Sequence, residues 1–116
     1  MDRPLYSPCV SAGDLVFVAG QRGALDGKIV EGGIVAELKQ AFTNIASILA
    51  TQGLGLDNVV KVTVFLRGVK ENVAPMNEAY LELFKGRPPA RTLVGVAELT
   101  SNALIAVDAI AFKGKN

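Results

Sequence analysis

Arg91 is the residue in this chain best suited to bind an anion. It lies just after two consecutive prolines, Pro88 and Pro89, at the start of an apolar stretch that continues to Leu99. Proline fixes φ and has no backbone N–H, so we expect the strand that follows to begin sharply. A guanidinium stays charged at any accessible pH, and its planar fork matches a carboxylate or a phosphate. We interpret Arg91 as an anion anchor, with a surface ion pair to a nearby Asp or Glu as the alternative.

The absence of histidine limits the other chemistry available to this chain. Ser-His-Asp and Cys-His mechanisms, histidine-ligated zinc and paired-histidine RNA cleavage are all excluded. Cys9 is the only cysteine, so neither an intrachain disulfide nor a thiolate metal cluster can form within one chain. Any catalysis therefore has to use arginine, tyrosine, carboxylates, amides or backbone groups.

The composition predicts one globular domain covering residues 1–116, because half of the chain is hydrophobic. The 12 Lys and Arg nearly balance the 11 Asp and Glu, so the strong basic excess that is typical of nucleic-acid-binding proteins is missing. No apolar run approaches the roughly 20 residues that span a bilayer, and the N-terminus does not resemble a signal peptide. Together with the single cysteine, these features lead us to expect a soluble cytoplasmic protein.

Two amphipathic helices are expected to support the anchor. Apolar residues recur at three- and four-residue spacing over residues 34–52, and Gly53 is placed to end that helix. Asn72 is a candidate cap for a second helix, which would place Pro75 in the first turn. The buried side chains of the second helix are predicted to be Val73, Met76, Tyr80, Leu81 and Phe84.

A short strand from Cys9 and four longer strands are predicted around these helices. Residues 15–19 form a continuous apolar run that indicates a strand buried on both faces, and Gly20 to Gly23 interrupt it, either as a turn or as a place where backbone approaches a ligand. Residues 59–67 are rich in β-branched side chains and alternate, which is typical of a central strand. The strand after Arg91 and a last strand over residues 103–112 complete the set, and Asp26-Gly27 predicts a turn.

The order of elements, β-β-α-β-α-β-β, predicts an α+β subunit with a mixed sheet and two helices on one face. Several strands are apolar on both sides, so the second face of the sheet would be a large exposed apolar surface. Monomeric proteins rarely leave such a surface uncovered. We therefore expect a homo-oligomer that packs sheet to sheet, with ligand sites between subunits.

Segments distributed along the whole chain match a known family in their order and spacing. They are Tyr6-Ser7, residues 18–21, residues 60–65, residues 76–80 with Phe84, residues 89–91 with Val94 and residues 96–99, and residues 108–111. On these residues the chain resembles the reactive-intermediate deaminase family (Rid, or YjgF-type), also described as endoribonuclease L-PSP. The resemblance implies a chorismate-mutase-like subunit, a homotrimer with a cleft at each interface, and no metal or organic cofactor.

The resemblance also implies an activity and a set of site residues. Family members with the arginine hydrolyse 2-imino acids, which form from enamines released by pyridoxal-phosphate enzymes, to 2-oxo acids and ammonia. By this resemblance Arg91 would grip the substrate carboxylate, and the Leu93 backbone carbonyl would accept a hydrogen bond from the iminium nitrogen. Tyr6 would close the cleft, backbone at Gly20 would line it, and Asn77 would hold it from the second helix. The alternatives are an interface aromatic for Tyr6 and a surface or capping amide for Asn77.

One position departs from the family pattern. Members commonly have a glutamate in the last strand that activates the attacking water, and this chain has Ala106 there. Asp108 lies two residues further on the same strand face, about 6.6 Å along the strand. It is a candidate to act through a bridging water, although it also matches a second acidic position that need not be catalytic.

Three functions follow from these observations. The first is an imine deaminase that acts on small 2-imino acids. The second is a non-catalytic trimer that binds a small 2-oxo acid and has lost turnover with the glutamate. The third is the endoribonuclease or translation-inhibitor role that is often attached to such proteins by name, and the lack of histidine and of a basic excess makes it the least supported.

Overall fold

The computed structural model describes residues 3–114. In chain order the elements are β1 (Cys9–Ala12), β2 (Leu15–Arg22), β3 (Ala24–Leu25), β4 (Lys28–Ile29), α1 (Ile34–Ala50), β5 (Val59–Arg67), α2 (Val69–Leu81), β6 (Ala90–Val96) and β7 (Ile105–Phe112), with single 3₁₀ turns at Leu56–Asn58 and Thr100–Asn102. Neither helix of this part of the chain is long and apolar enough to cross a membrane.

Five strands form one sheet in the order β1-β2-β7-β5-β6. The β5–β6 pair is parallel and the other pairs are antiparallel, which confirms the predicted α+β fold with a mixed sheet. The short strands β3 and β4 form a separate hairpin. Asp26 and Gly27 connect them with positive φ angles of 53° and 81°, as their sequence predicts.

Both helices pack on one face of the sheet, which we call the helix face. In β7 the side chains of Ile105, Val107, Ala109 and Ala111 are buried there, and the residues between them are not. In β5 the alternation is interrupted by an irregularity between Val59 and Lys61, so that Val59 is buried in place of Val60. The largest fully buried side chains of the core are Phe42, Leu38, Ile45, Leu49, Leu66, Met76 and Ile105.

The opposite face of the sheet carries no helix within residues 3–114, and we call it the open face. Alternation and strand pairing place these side chains on it: Val10, Phe17, Lys61, Thr63, Phe65, Arg67, Thr92, Val94, Ala106, Asp108, Ile110 and Phe112. Phe17 is 42% exposed, whereas its neighbours Val16 and Val18 are buried on the helix face. The prediction that residues 15–19 are buried on both faces is therefore wrong for the single chain.

The second helix begins earlier than its sequence suggests. Gly68, with φ of 69°, precedes the first helical residue Val69, and Pro75 lies inside the helix rather than in its first turn. Asn72 is within the helix, and its side-chain amide donates to the Arg67 carbonyl at 2.8 Å. Leu81 is 74% exposed, so its predicted burial is also wrong.

The residues from Gly20 to Gly23 bend strand β2 without ending it. The strand continues to Arg22, and its pairing with β7 shifts between Val18 and Gln21. The two glycines have different surroundings. A side chain at Gly23 would overlap the Glu37 backbone of α1, whereas a Cβ at Gly20 would meet nothing within 4 Å. Gly23 therefore allows close packing, and Gly20 leaves open space.

Candidate functional site

Arg91 lies on the edge strand of the sheet. It pairs with Val62 across the parallel β5–β6 ladder, so its side chain is on the helix face. One guanidinium nitrogen, Nη1, donates to Asn77 Oδ1 of α2 at 2.8 Å. Its Cζ atom is 4.7 Å from the centre of the Tyr80 ring, which is cation–π distance. Within residues 3–114 no acidic side chain forms an ion pair with Arg91, so the charge remains available to an anion.

Tyr80 forms a fixed platform for this guanidinium. Its ring is in edge contact with Phe42, with centroids 5.9 Å apart, and lies 5.3 Å from the Phe84 ring. The phenol oxygen is buried and has no hydrogen-bond partner in the described part of the chain. Burial raises the pKa of Tyr80, and the nearby positive charge of Arg91 offsets part of that rise. Tyr80 is therefore neutral at physiological pH.

Leu93 follows Arg91 by two residues and is on the same face of β6. It pairs with the buried Val64, and its own side chain is half-buried against the core. Arg91, Asn77 and Tyr80 thus come together between α2 and the edge strand, and Leu93 lies two residues further along the same face of β6. We call these four residues the anchor half of the site.

A second group of predicted residues lies on the open face. A cavity of about 340 Å³ is lined by Tyr6, Ala19, Gly20, Arg22, Phe65, Leu99, Thr100 and Ala106. Tyr6 is at its mouth and is 68% exposed. The methyl group of Ala106 leaves no acid at this point of the cavity. We call Tyr6, Gly20, Arg22 and Ala106 the cavity half of the site.

Asp108 is on the open face but outside the lining of this cavity. It pairs with Thr63 of β5, two residues along β7 from Ala106. No group of three or more Asp, Glu, Cys or His side chains is arranged to hold a metal ion in the part of the chain described. The catalytic role of Asp108 stays a prediction.

The two halves cannot meet within one chain. They are on opposite faces of the sheet, and Gly20 on β2 is separated from Arg91 on β6 by β7 and β5. Three strand spacings correspond to about 14 Å. A small ligand that touches one half is out of reach of the other half of the same chain.

Two residues of the site were missed by the sequence reasoning. Tyr80 was assigned only to the core, although its spacing of three residues from Asn77 places both on one side of α2. Arg22 was considered only as part of the interruption from Gly20 to Gly23, and it faces Ala106 only because β2 pairs with β7. The first had a local signal in the sequence, and the second had none.

Comparison with known proteins identifies the family to which the chain and its fold belong. The family model described as Endoribonuclease L-PSP matches residues 2–113. Yeast protein MMF1, named as mitochondrial, is 41% identical over 107 residues, which cover 91% of this chain and 73% of the yeast protein. The crystal structure of yeast Mmf1 matches with a TM-score of 0.91 over 97% of this chain and 90% of the crystallised one, at 39% identity.

Two further relatives bear on function. A goat protein named 2-iminobutanoate/2-iminopropanoate deaminase is 38% identical over 111 residues, 94% of this chain and 80% of its own. The crystal structure of TdcF from E. coli with bound serine has a TM-score of 0.87 at 26% identity, covering 97% of this chain and 91% of that one. The chain belongs to the Rid/YjgF family, also called endoribonuclease L-PSP.

Proposed function

We propose that this protein is a deaminase of small 2-imino acids, and that its active site combines the anchor half of one subunit with the cavity half of another in a homotrimer. The reaction is hydrolysis of the C=N bond: a 2-iminium carboxylate and one water give a 2-oxo acid and an ammonium ion. The observation that carries the proposal is Arg91, a guanidinium held by Asn77 and Tyr80 with no acidic partner in residues 3–114. The deaminase name of the goat relative supports the same reaction.

Each residue of the anchor half has a distinct task in this reaction. Arg91 binds the substrate carboxylate with its fork, and its contacts with Asn77 and Tyr80 reduce the motion that binding has to freeze. The Leu93 carbonyl accepts a hydrogen bond from the iminium nitrogen. This contact stabilises the positive charge that makes the adjacent carbon electrophilic.

The cavity half supplies the space for water and for the substrate side chain. Tyr6 closes over the ligand, and the bare backbone at Gly20 lets the substrate approach closely. Because Ala106 provides no base, water attack depends on the electrophilicity of the iminium and on its orientation. Asp108 on the neighbouring part of β7 is the nearest candidate to order that water through a second water molecule.

The open face supports the proposed assembly. It carries Phe17, Phe65, Val94 and Ile110 without a covering helix, and apolar surface of this kind favours association. Packing the open faces of three copies around a common axis would bury this surface. It would also bring the cavity half of one copy towards the edge strand of the next.

The proposal is tested by following an imine produced in the assay itself. An amino-acid oxidase converts alanine or 2-aminobutyrate to the 2-imino acid, and formation of the 2-oxo acid and of ammonia is measured with and without the protein. We expect the protein to accelerate both products and Arg91→Ala to abolish the acceleration. Arg87→Ala, which removes an exposed arginine near the same strand, is the matched control. Equal rates with and without wild-type protein would contradict the proposal.

A second function, binding of a small 2-oxo acid without turnover, is favoured by Ala106. In this case pyruvate or 2-oxobutyrate would raise the melting temperature of wild-type protein and leave that of Arg91→Ala unchanged, while imine lifetimes stay the same. The bound serine of the TdcF structure shows that a relative takes a small carboxylate-bearing molecule. The imine assay separates this function from the first.

A further inference from the structure

The cavity on the open face contains one charged residue, Arg22. Among the eight residues that line this cavity of about 340 Å³, the others are apolar, glycine, threonine or tyrosine. Arg22 is the last residue of β2 and pairs with Ala106 of β7, so both point to the open face. At position 106, where a carboxylate would neutralise Arg22, the chain has the methyl group of alanine.

The contacts of Arg22 leave most of its donors free. Its Nη1 atom donates to the Ser101 hydroxyl at 2.6 Å, and within residues 3–114 no acidic side chain forms an ion pair with it. A guanidinium has five N–H donors arranged to bind a carboxylate in two parallel hydrogen bonds. Because Arg22 is half-buried, its charge is screened less than that of a fully exposed arginine.

A second arginine increases the positive charge beside the cavity. Arg67 donates from Nε to the Ala103 carbonyl at 3.0 Å and from Nη2 to the Asn102 carbonyl at 2.8 Å. Arg22 and Arg67 thus hold the same turn, in which Ser101 and Asn102 have φ angles of 58° and 59°. Left-handed backbone at non-glycine residues is uncommon, so these contacts fix the turn that carries the Arg22 partner. The partners of both arginines are neutral.

We propose that Arg22 binds a second anionic group of the substrate, so that this protein acts on 2-imino acids with an acidic side chain, the 2-imino dicarboxylic acids. The inference rests on the proposed function, since it places the substrate between Arg91 of one subunit and Arg22 of another. Arg91 takes the carboxylate next to the imine, and Arg22 takes the side-chain carboxylate inside the cavity. An acid at position 106 would compete for Arg22, and the alanine leaves it free.

The test compares imines of two charge types. Amino-acid oxidases generate the imine of alanine and the imines of aspartate and glutamate in the assay, and kcat/KM is measured for wild type, Arg22→Gln and the control Arg87→Gln. Since a hydrogen bond to a charged group contributes about 1.5–3 kcal/mol, we expect wild type to prefer the dicarboxylic imines by roughly 10- to 100-fold. Arg22→Gln should lose this preference, with a larger fall in kcat/KM for the dicarboxylic imines than for the alanine imine, and Arg87→Gln should match wild type.

The outcomes distinguish this inference from the proposed function. If wild type accepts the alanine imine as well as the dicarboxylic ones, or if Arg22→Gln slows all imines equally, the inference is overturned and the deaminase function stands. If no imine is accelerated, the deaminase function is contradicted. The role of Arg22 is then tested by the binding of 2-oxo acids. Stabilisation by 2-oxoglutarate above that by 2-oxobutyrate, lost in Arg22→Gln, supports the role of Arg22, and equal stabilisation by both acids overturns it.

Discussion

The anchor half and the cavity half differ in how firmly their side chains are held. In the anchor half, Arg91 is hydrogen-bonded to Asn77 and stacked on Tyr80, whose ring is packed against Phe42 and Phe84. In the cavity half, Gly20 has no side chain, Ala106 has a methyl group, and Tyr6 is mostly exposed. A side chain that is already held in place binds its ligand with little loss of entropy, whereas an open cavity leaves the choice of substrate side chain to the residues that line the cavity.

The largest effect is expected from separating the two halves. Phe17→Asp places a charge in the apolar open face, so we expect it to give monomers that retain secondary structure and have no measurable deaminase activity. Light scattering after gel filtration reports the mass, and circular dichroism reports the fold. Leu25→Asp is the control, because Leu25 is exposed in the β3–β4 hairpin outside the sheet. An active Phe17→Asp monomer would show that one chain contains the whole site.

Weakening the anchor half while keeping its charge is expected to have the next largest effect. Arg91→Lys retains the positive charge but loses the planar fork and much of the stacking on Tyr80. We expect kcat/KM to fall by roughly 10- to 100-fold, since a bidentate charged contact becomes a single one. A lysine variant with wild-type kinetics would indicate that only the charge matters at this position.

Filling the cavity half with an acid is expected to increase the rate. Ala106→Glu supplies a carboxylate that can take a proton from the attacking water, and general bases contribute about 10²-fold or more. We expect a gain in kcat of roughly 10-fold with the alanine imine, reduced from the full value because Arg22 pairs with the new carboxylate. Ala106→Gln, of similar size and without the charge, is the control. An unchanged kcat in Ala106→Glu would place the limiting step outside water attack.

Smaller effects are expected when the platform beneath Arg91 is changed. Tyr80→Phe keeps the ring and removes a buried hydroxyl that has no partner in residues 3–114, so we expect kcat/KM to stay within about two-fold of wild type. Tyr80→Leu removes the ring, and a loss of about 1 kcal/mol of cation–π attraction predicts a rise in KM of roughly five-fold. Equal KM values for Tyr80→Phe and Tyr80→Leu would contradict the platform role.

The smallest effect concerns stability in alkali. Burial raises the pKa of Tyr80, so the folded protein keeps this proton to a higher pH than the unfolded chain does. The resulting stability is fully present below the ordinary tyrosine pKa of about 10 and is lost as pH rises through the raised value. In urea unfolding between pH 9 and pH 11, we expect Tyr80→Phe to lose less stability than wild type. Parallel losses would contradict the shift.

Local sequence patterns predicted the helix face well and the start of α2 poorly. The alternation in β7 and the Asp26-Gly27 turn depend on neighbouring residues, so the sequence is sufficient to predict them. The second helix offers two start signals, Gly68 and Asn72, and packing of α2 on the sheet favours the earlier one in spite of Pro75. Leu81 continues the apolar spacing of the helix, but it is the last residue of α2 and its side chain is exposed.

The residues of the candidate site also differ in whether the sequence alone could predict them. Arg91 was predicted from its residue type and its place after two prolines, Asn77 was predicted from the family resemblance, and the two side chains are in contact. The pairing of Arg22 with Ala106 joins strands from opposite ends of the chain, and no local pattern specifies such a register. The sequence therefore predicted the group that we expect to bind the substrate carboxylate, whereas the group that we expect to select the substrate side chain could be found only from the strand pairing of the sheet.

The most direct test of a site shared between subunits is to mix two variants that are inactive for different reasons. Arg91→Ala damages the anchor half, and Gly20→Phe fills the cavity half without touching its own backbone, because the space at Gly20 is open. Co-expression with two different tags allows purification of hybrid trimers. If each site takes its halves from neighbouring copies, a hybrid trimer of either composition has one intact site out of three, so the purified hybrids should regain about one third of wild-type activity. Purified hybrids that remain as inactive as the two parents would contradict the account.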